Sequence, residues 1–311
     1  MPNQPQSRDS LFREGQMSVG LVLPIREADT ADVDFRQQVE LAAFADQLGF
    51  SAVWVRDVPL NGSWYPEIFG HPDPFAMLGA IAMATSRIAI GTAATVLTLR
   101  QPLHIAKAAI TLDRLAPGRF ILGLGSGDRR EEFAAFGVDT KDHKELYRAH
   151  WIELAAALER PSRIPQQTSD PDVSFELRPP ALGDIPMLAV GSGGQTLDWI
   201  ACHASGWATY HRPLDVQRDR HALWRQAIDR SAEGQFRSFS VALRIELQDD
   251  PAEAPEPIAL GYRIGTRDLF HLLERMRENG VHHALLNILP NGVSPRQNLE
   301  IISRDILPAF R

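Results

Sequence analysis

From Val19 to the C-terminus, short apolar runs alternate with stretches of helical periodicity, and few folds accept that rhythm. The runs are Val19–Ile25, Ala52–Val55, Ile88–Leu99, Phe120–Leu124, Met187–Val190, Trp207–Tyr210, Phe239–Leu247 and Val281–Leu289. Each is bounded by Gly, Pro or polar residues and reads as a buried strand. Between them, Leu41, Phe44, Ala45 and Leu48 share a helical face that Gly49 ends. Asp73 is an N-cap with Pro74 in the first helical position, and Pro102 opens a further helix. Tyr147, Trp151, Leu154 and Leu158, then Leu269, Leu272, Leu273 and Met276, then Leu299, Ile302 and Ile306, mark later helices. Sustained βα alternation dictates a parallel sheet, and eight units in a chain of 311 residues predict one closed (β/α)8 barrel of the TIM type with insertions.

This reading makes a single domain of a length that would otherwise allow two. The barrel is expected over residues 18–311, with a Pro-rich insertion at 160–180 lying on its surface. Residues 1–17 are polar and read as a loose tail without the apolar segment of a signal peptide. The most apolar stretch, Pro74–Leu99, is cut by Arg87 and predicts two soluble elements instead of a membrane span. A cytoplasmic protein is expected. The net charge of −7 supplies no cationic face for phosphate-rich partners, which excludes nucleic acid and favours a small-molecule substrate. Cys202, the one cysteine, cannot form an internal disulfide and reads as a buried, inert thiol in a helix.

In such barrels chemistry sits at the C-terminal ends of the strands. Two Gly-rich loops follow strands there: Gly123-Leu124-Gly125-Ser126-Gly127, and Gly191-Ser192-Gly193-Gly194-Gln195-Thr196 leading into a helix. Small residues let backbone N–H groups approach a phosphate, and Thr196 adds a hydroxyl; the alternative is that the glycines only turn the chain. The third run carries Ala89, Gly91, Ala93 and Ala94 where bulky residues usually fill a barrel. That pattern makes room for a flat ring or for close packing, and the residues alone do not choose. Asp57 ends the second strand as a general base, a cofactor contact or a loop anchor; His71 follows a loop bearing Trp64 and Tyr65. Tyr210, His211 and Arg212 end the sixth strand, where a cation suits a phosphate. His282 and His283 are adjacent on a strand and face opposite ways, so they cannot chelate together. No metal-ligand spacing and no GxSxG elbow occurs, so neither a metal site nor a serine hydrolase is expected.

The stretch GTAATVLTLRQPLHIAKAAITLDRLAPGRFILGLGSGDRREEFAAFGVD (Gly91–Asp139) resembles the bacterial luciferase-like superfamily of flavin-dependent oxidoreductases. The resemblance extends more weakly through GFSAVWVRD (Gly49–Asp57) and GTRDLFHLLERMRENGVHHALLNIL (Gly265–Leu289). It implies a single barrel binding FMN, or in some branches a deazaflavin coenzyme. It also implies a cis Ala93-Ala94 bond under the flavin ring, with Thr92 beside it, and a phosphate loop at Ser192, Gly193, Gly194 and Thr196. Two positions depart from the family pattern. Ser126 stands where luciferase has a phosphate-binding Arg, leaving Arg129, Arg130 or Arg212 to substitute, and Asp57 stands where luciferase has a catalytic His. The leading expectation is an FMN-dependent monooxygenase using reduced flavin from a separate reductase. Asp57 and His71 are its candidate catalytic residues, and Tyr210 and Arg212 join the cofactor set. A deazaflavin-dependent dehydrogenase and a catalytically silent flavin-binding subunit are the alternatives, and a homodimer is expected by resemblance. Asp113, Arg119 and Lys107 are expected to fix the chain locally and not to touch substrate.

Overall fold

A computed structural model describes residues 11–27, 32–65, 67, 69–164 and 174–310. Eight strands form the barrel: β1 (Ser18–Leu23), β2 (Ala52–Val55), β3 (Ala89–Thr92), β5 (Phe120–Gly125), β6 (Met187–Val190), β7 (Gly206–Tyr210), β8 (Ser238–Leu247) and β11 (His283–Ile288). All pair in parallel in that order, and β11 closes the ring by pairing with both β8 and β1. The ring carries α1 (Phe35–Leu48), α2 (Pro74–Ala84), α3 (Pro102–Leu115), short α4 (Arg130–Ala135) and α5 (His143–Leu158). It continues with α6 (Leu197–His203), α7 (Leu214–Ser231), α8 (Thr266–Glu278) and α9 (Pro295–Asp305). Among the described residues no helix is long and apolar enough to cross a membrane.

Local chemistry explains where these helices begin and end. Asp34 and Asp73 accept the first free N–H groups of α1 and α2, and Gly49, at φ 91°, ends α1 in the left-handed region. Arg119 donates to the Ala82, Thr85 and Ile88 carbonyls, clamping the α2–β3 turn as expected of a residue that fixes the chain. Asp113 accepts the Leu182 N–H, and Lys107 bonds the Arg178 carbonyl. The described parts of the 160–180 insertion therefore lie against α3, on the outside of the barrel; residues 165–173 fall outside the described residues.

Alternation along the strands divides the core in two. Leu21, Val53, Ile90, Leu122, Ala189, Val241 and Leu286 meet the helices. Val22, Trp54, Ile121, Leu188 and Leu285 fill the ring. Inside it, large and small residues interlock. A Cβ on Gly91 would lie 2.5 Å from the Trp54 indole, and one on Gly20 would lie 2.8 Å from the His283 ring. The small residues deep in the third run are thus consumed by a neighbouring indole, so only Ala93 and Ala94, at the strand end, border open space. Trp54 Nε1 donates to His283 Nε2 at 2.9 Å. His283 Nδ1 meets Ser18 Oγ at 2.6 Å, and Ser18 donates to the Leu11 carbonyl at 2.8 Å. This relay needs a neutral His283 carrying its proton on Nδ1. Burial pushes the His283 pKa down to about 3, as that requires.

Three expectations are corrected, and one element is new. Residues 11–17 are not loose: Leu11 and Met17 are buried, and Leu11 packs into the barrel floor against the interior residues. Their polar neighbours concealed two apolar anchors; residues 1–10 lie outside the described residues. The run Ile88–Leu99 is not one strand but β3, then β4 (Thr95–Val96) and a 3-10 turn at Leu97–Leu99. The chain breaks there because Ala93 N–H bonds the Val55 carbonyl while Val96 N–H turns to the Asp57 carboxylate. The new element is a hairpin after β8, formed by β9 (Glu256–Ile258) and β10 (Gly261–Ile264), whose second strand pairs with the far end of β8. Cys202 is exposed, because α6 turns Trp199 and Ile200 inward and leaves the thiol on its outer face.

Candidate active site

The mouth of the barrel has two chemically different halves. On the β3–β5–β6 side the strand ends are small. The Ala93–Ala94 peptide bond is cis, as the resemblance implied, and both alanines are partly exposed. Gly125 sits beside them so closely that an added Cβ would be 3.2 Å from the Ala94 methyl. Thr92 is fully buried and donates its hydroxyl to the Gly123 carbonyl at 2.6 Å, so it knits β3 to β5 and does not face the mouth. Ser126 follows β5, partly exposed, with its carbonyl held by the Thr98 hydroxyl.

The loop after β6 is a built turn. Gly191, Gly193 and Gly194 all take positive φ (75°, 55° and 73°), where other residues are strained. A Cβ on Gly193 would lie 2.6 Å from the Tyr147 ring, and Gln195 Nε2 ties the loop to the Lys144 and Gly193 carbonyls. Ser192 Oγ accepts the Gly194 N–H, and Thr196 caps α6 by accepting from Trp199 N–H. Tyr210, half exposed, stands at the end of β7, and burial raises its phenol pKa. Arg212 is exposed; with desolvation first, its charge helps push His211 down to about 4. Arg130 is also exposed, on the first turn of α4.

Asp57 is an anchor. Its buried carboxylate accepts Val96 N–H at 2.9 Å and two Arg100 N–H groups at 2.8 Å each, and Arg100 reaches on to Asp73. The alternation of β2 points residues 52, 54 and 56 into the barrel and residue 57 away from it. Asp57 therefore fixes the segment that follows Ala93-Ala94. The His71 side chain is buried against Phe69, with ring centroids 4.7 Å apart; its Nε2 lies 3.7 Å from Glu67 Oε2, and neither ring nitrogen has a closer hydrogen-bond partner among the described residues. Desolvation lowers its pKa, so it is neutral near pH 7.

The other half of the mouth, formed by β1, β2, β8 and β11, was not anticipated. Arg56 and Arg244 converge on Glu67, which the β2–α2 loop lowers onto them. Arg56 Nη2 is 2.8 Å from Glu67 Oε2, and Arg244 Nη2 is 2.8 Å from Oε1. Arg129, 4% exposed, lies 3.6 Å from Oε2 and 3.6 Å over the Tyr65 ring. Despite desolvation, the adjacent His71 ring, then Arg56 and Arg244, hold the Glu67 pKa far below the usual carboxylate range. The loop is tied down separately: Arg129 donates to the Leu60 carbonyl, Leu60 N–H to Glu132, and Asn61 to the Phe69 carbonyl. The signal for this cluster was period two, since Arg56 and Arg244 continue the inward rows Ala52–Trp54 and Ser240–Ala242. Glu67 gives no such signal, because nothing local aims a loop carboxylate.

Comparison with known proteins agrees with this architecture. Residues 17–290 match the family model for luciferase-like monooxygenases. A 4-hydroxyprotoasukamycin monooxygenase of Streptomyces nodosus subsp. asukaensis is 27% identical over 243 residues, 73% of this chain and 62% of that protein. The chain thus spans less than two thirds of that relative's length. An F420-dependent secondary alcohol dehydrogenase, solved with an F420-acetone adduct, superposes with a TM-score of 0.75 at 16% identity, covering 95% of this chain and 99% of that one. The oxygenating constituent of 3,6-diketocamphane monooxygenase from the CAM plasmid of Pseudomonas putida, solved with FMN, superposes with a TM-score of 0.70 at 16% identity over the same shares. At such identities these two structures show the fold alone. With the family model spanning the barrel from its first strand to its last, the chain belongs to the luciferase-like monooxygenase family of oxidoreductase enzymes.

Proposed function

We propose that this protein is an FMN-dependent monooxygenase acting on a small organic substrate and supplied with reduced FMN by a separate reductase. One observation carries the reading: an uncharged, small-residue shelf (Ala93, Ala94, Gly125) lies one strand from a glycine-shaped loop with hydroxyls at Ser192 and Thr196. A planar ring needs flat, side-chain-poor backbone, and a phosphate needs a turn open to its oxygens. The residues fit both ends of a flavin mononucleotide. Bound there, the flavin supplies the redox chemistry.

The chain's own residues position, exclude water and carry charge. Ala93 and Ala94 bear the ring, and Ser192, Gly193, Gly194 and Thr196 hold the phosphate, with Ser126 and Arg212 at its edge. Asp57 acts as a positioning residue through Val96. The 57–72 loop covers the mouth, and Tyr210 and the neutral His71 are the groups able to hold or pass a proton beneath it. A cytoplasmic homodimer completes the proposal.

The test is a titration of the apoprotein with FMN and with the deazaflavin coenzyme F420, followed by absorbance, then oxygen uptake with reduced FMN. Saturable FMN binding and substrate-dependent oxygen consumption support the proposal. Binding of F420 alone replaces it with the second reading, a deazaflavin-dependent dehydrogenase. That reading is favoured by relatives such as the F420-dependent glucose-6-phosphate dehydrogenase of Kineococcus radiotolerans, 29% identical over 234 residues. Binding of neither overturns both.

A further inference from the structure

We infer that Arg56 and Arg244 form the recognition site for an anionic substrate, a small molecule bearing a carboxylate or phosphate, and that Glu67 is a tethered occupant which such a substrate displaces. The inference rests on the flavin reading only for the word substrate; the site itself is made of this chain's residues. A cavity of ≈ 200 Å³ opens between β1, β2, β8 and β11, lined by Arg26, Arg56, Arg244, Glu67, Phe69 and Asn287. It faces the small-residue shelf across the mouth, so a molecule held there would present its other end to the shelf.

The cations belong to strands or their ends and the anion to a loop. Arg244 projects from the interior of β8, and Arg56 follows β2 directly, so both guanidiniums ride on barrel strands. Glu67 arrives on a loop whose closure has its own ties at Leu60 and Asn61. Its carboxylate is therefore not needed to keep the loop down. Supply and demand are also unequal: Arg56 and Arg244 both close on Glu67 at 2.8 Å, while Arg129, 3.6 Å behind it, is shared with Glu132 at 3.6 Å, so three guanidiniums face two carboxylates. Arg129 Nη2 is buried with no hydrogen-bond partner among the described residues and stands 3.6 Å from Glu67. Two half-buried guanidiniums converging on one point at the edge of a cavity are a site for a planar anion, because such a group accepts two N–H donors at once. In an acidic chain this concentration of cations is a local exception, and an anion at the point where Arg56 and Arg244 converge relieves the repulsion between them.

The experiment is isothermal titration of the full chain, without flavin, with benzoate, phenyl phosphate and the neutral isostere benzamide. Glu67→Gln keeps the loop's volume and removes the competing charge, so it is expected to tighten benzoate or phenyl phosphate about tenfold while leaving benzamide unchanged. A gain of binding cannot arise from misfolding. Arg244→Gln in the Glu67→Gln background is expected to reduce the anions to the level of benzamide. The stronger of the two anions identifies the head group. Equal binding of anions and benzamide by Glu67→Gln, or no binding of any, overturns the inference. Displacement of benzoate by FMN also overturns it, by giving the cations to the cofactor's phosphate. Failure of FMN to bind leaves the calorimetric result standing, and FMN binding without anion preference removes this inference alone.

Discussion

Replacing Asp57 with Asn separates a positioning role from a chemical one. The side chain of Asp57 is 1% exposed and accepts three hydrogen bonds, two from Arg100 and one from Val96 N–H. Removing one partner of a fully buried ion pair costs roughly 3–5 kcal/mol. Here Arg100 is 28% exposed and keeps Asp73 at 2.8 Å, which offsets part of the loss. Asn can still accept from Val96 or from Arg100, though more weakly, so the expected loss is about 2–3 kcal/mol. For a chain of 311 residues that corresponds to about 3–5 °C in Tm. Differential scanning calorimetry of Asp57→Asn, Arg100→Gln and the double variant gives the coupling, expected at about 2 kcal/mol. Because the carboxylate acts through Val96 on the segment after Ala93-Ala94, the flavin Kd should rise with the loss of stability. Turnover at saturating flavin should change little, and its pH profile should keep its shape. An unchanged Tm with turnover abolished at saturating flavin would refute the anchoring argument and restore Asp57 as a base.

Three further outcomes follow from the geometry. His283, His282 and His211 are held at about 3, 4 and 4 by burial, against 6.5 when unfolded. The unfolded chain therefore binds protons that the folded chain refuses, and stability is lost as pH falls from 6.5 towards 4, on the order of 1–2 kcal/mol per histidine at pH 5; a urea midpoint constant between pH 7 and pH 4.5 would contradict it. Gly193→Ala places a methyl 2.6 Å from the Tyr147 ring in a left-handed backbone, so it should lower stability by about 1–3 kcal/mol and weaken FMN binding more than Gly234→Ala, whose Cβ meets open space. Cys202 is exposed and should react fully with an aromatic disulfide reagent in the native protein; reaction only after denaturation would return it to the core.

The barrel was legible because strand and helix periods are local properties. Asp73-Pro74, Pro102 and Gly49 mark helix ends through hydrogen-bond chemistry that acts within one turn. The glycine loop at 191–194 was legible for the same reason, since its conformation excludes other residues. The hairpin at β9–β10 was missed because Glu256–Ile258 and Gly261–Ile264 are too short and too polar to read as strands. Leu11 was missed because one buried leucine in a polar segment has no periodicity. Asp57 could be seen as a strand-end carboxylate, yet the choice between base and anchor depended on Arg100, which lies 43 residues away along the chain.

By itself, then, the sequence determined the eight βα units, the small-residue ending of the third strand and the glycine turn that follows the fifth, at 191–194. Each follows from which residues the backbone tolerates locally. Tertiary structure decided what those features face. It filled the space above Gly91 with Trp54, spent Asp57 on Arg100, and set Glu67 against Arg56 and Arg244 from loop and strands far apart in the chain. Ion pairs and cavities depend on side-chain distances across the barrel, and those exist only once the ring has closed.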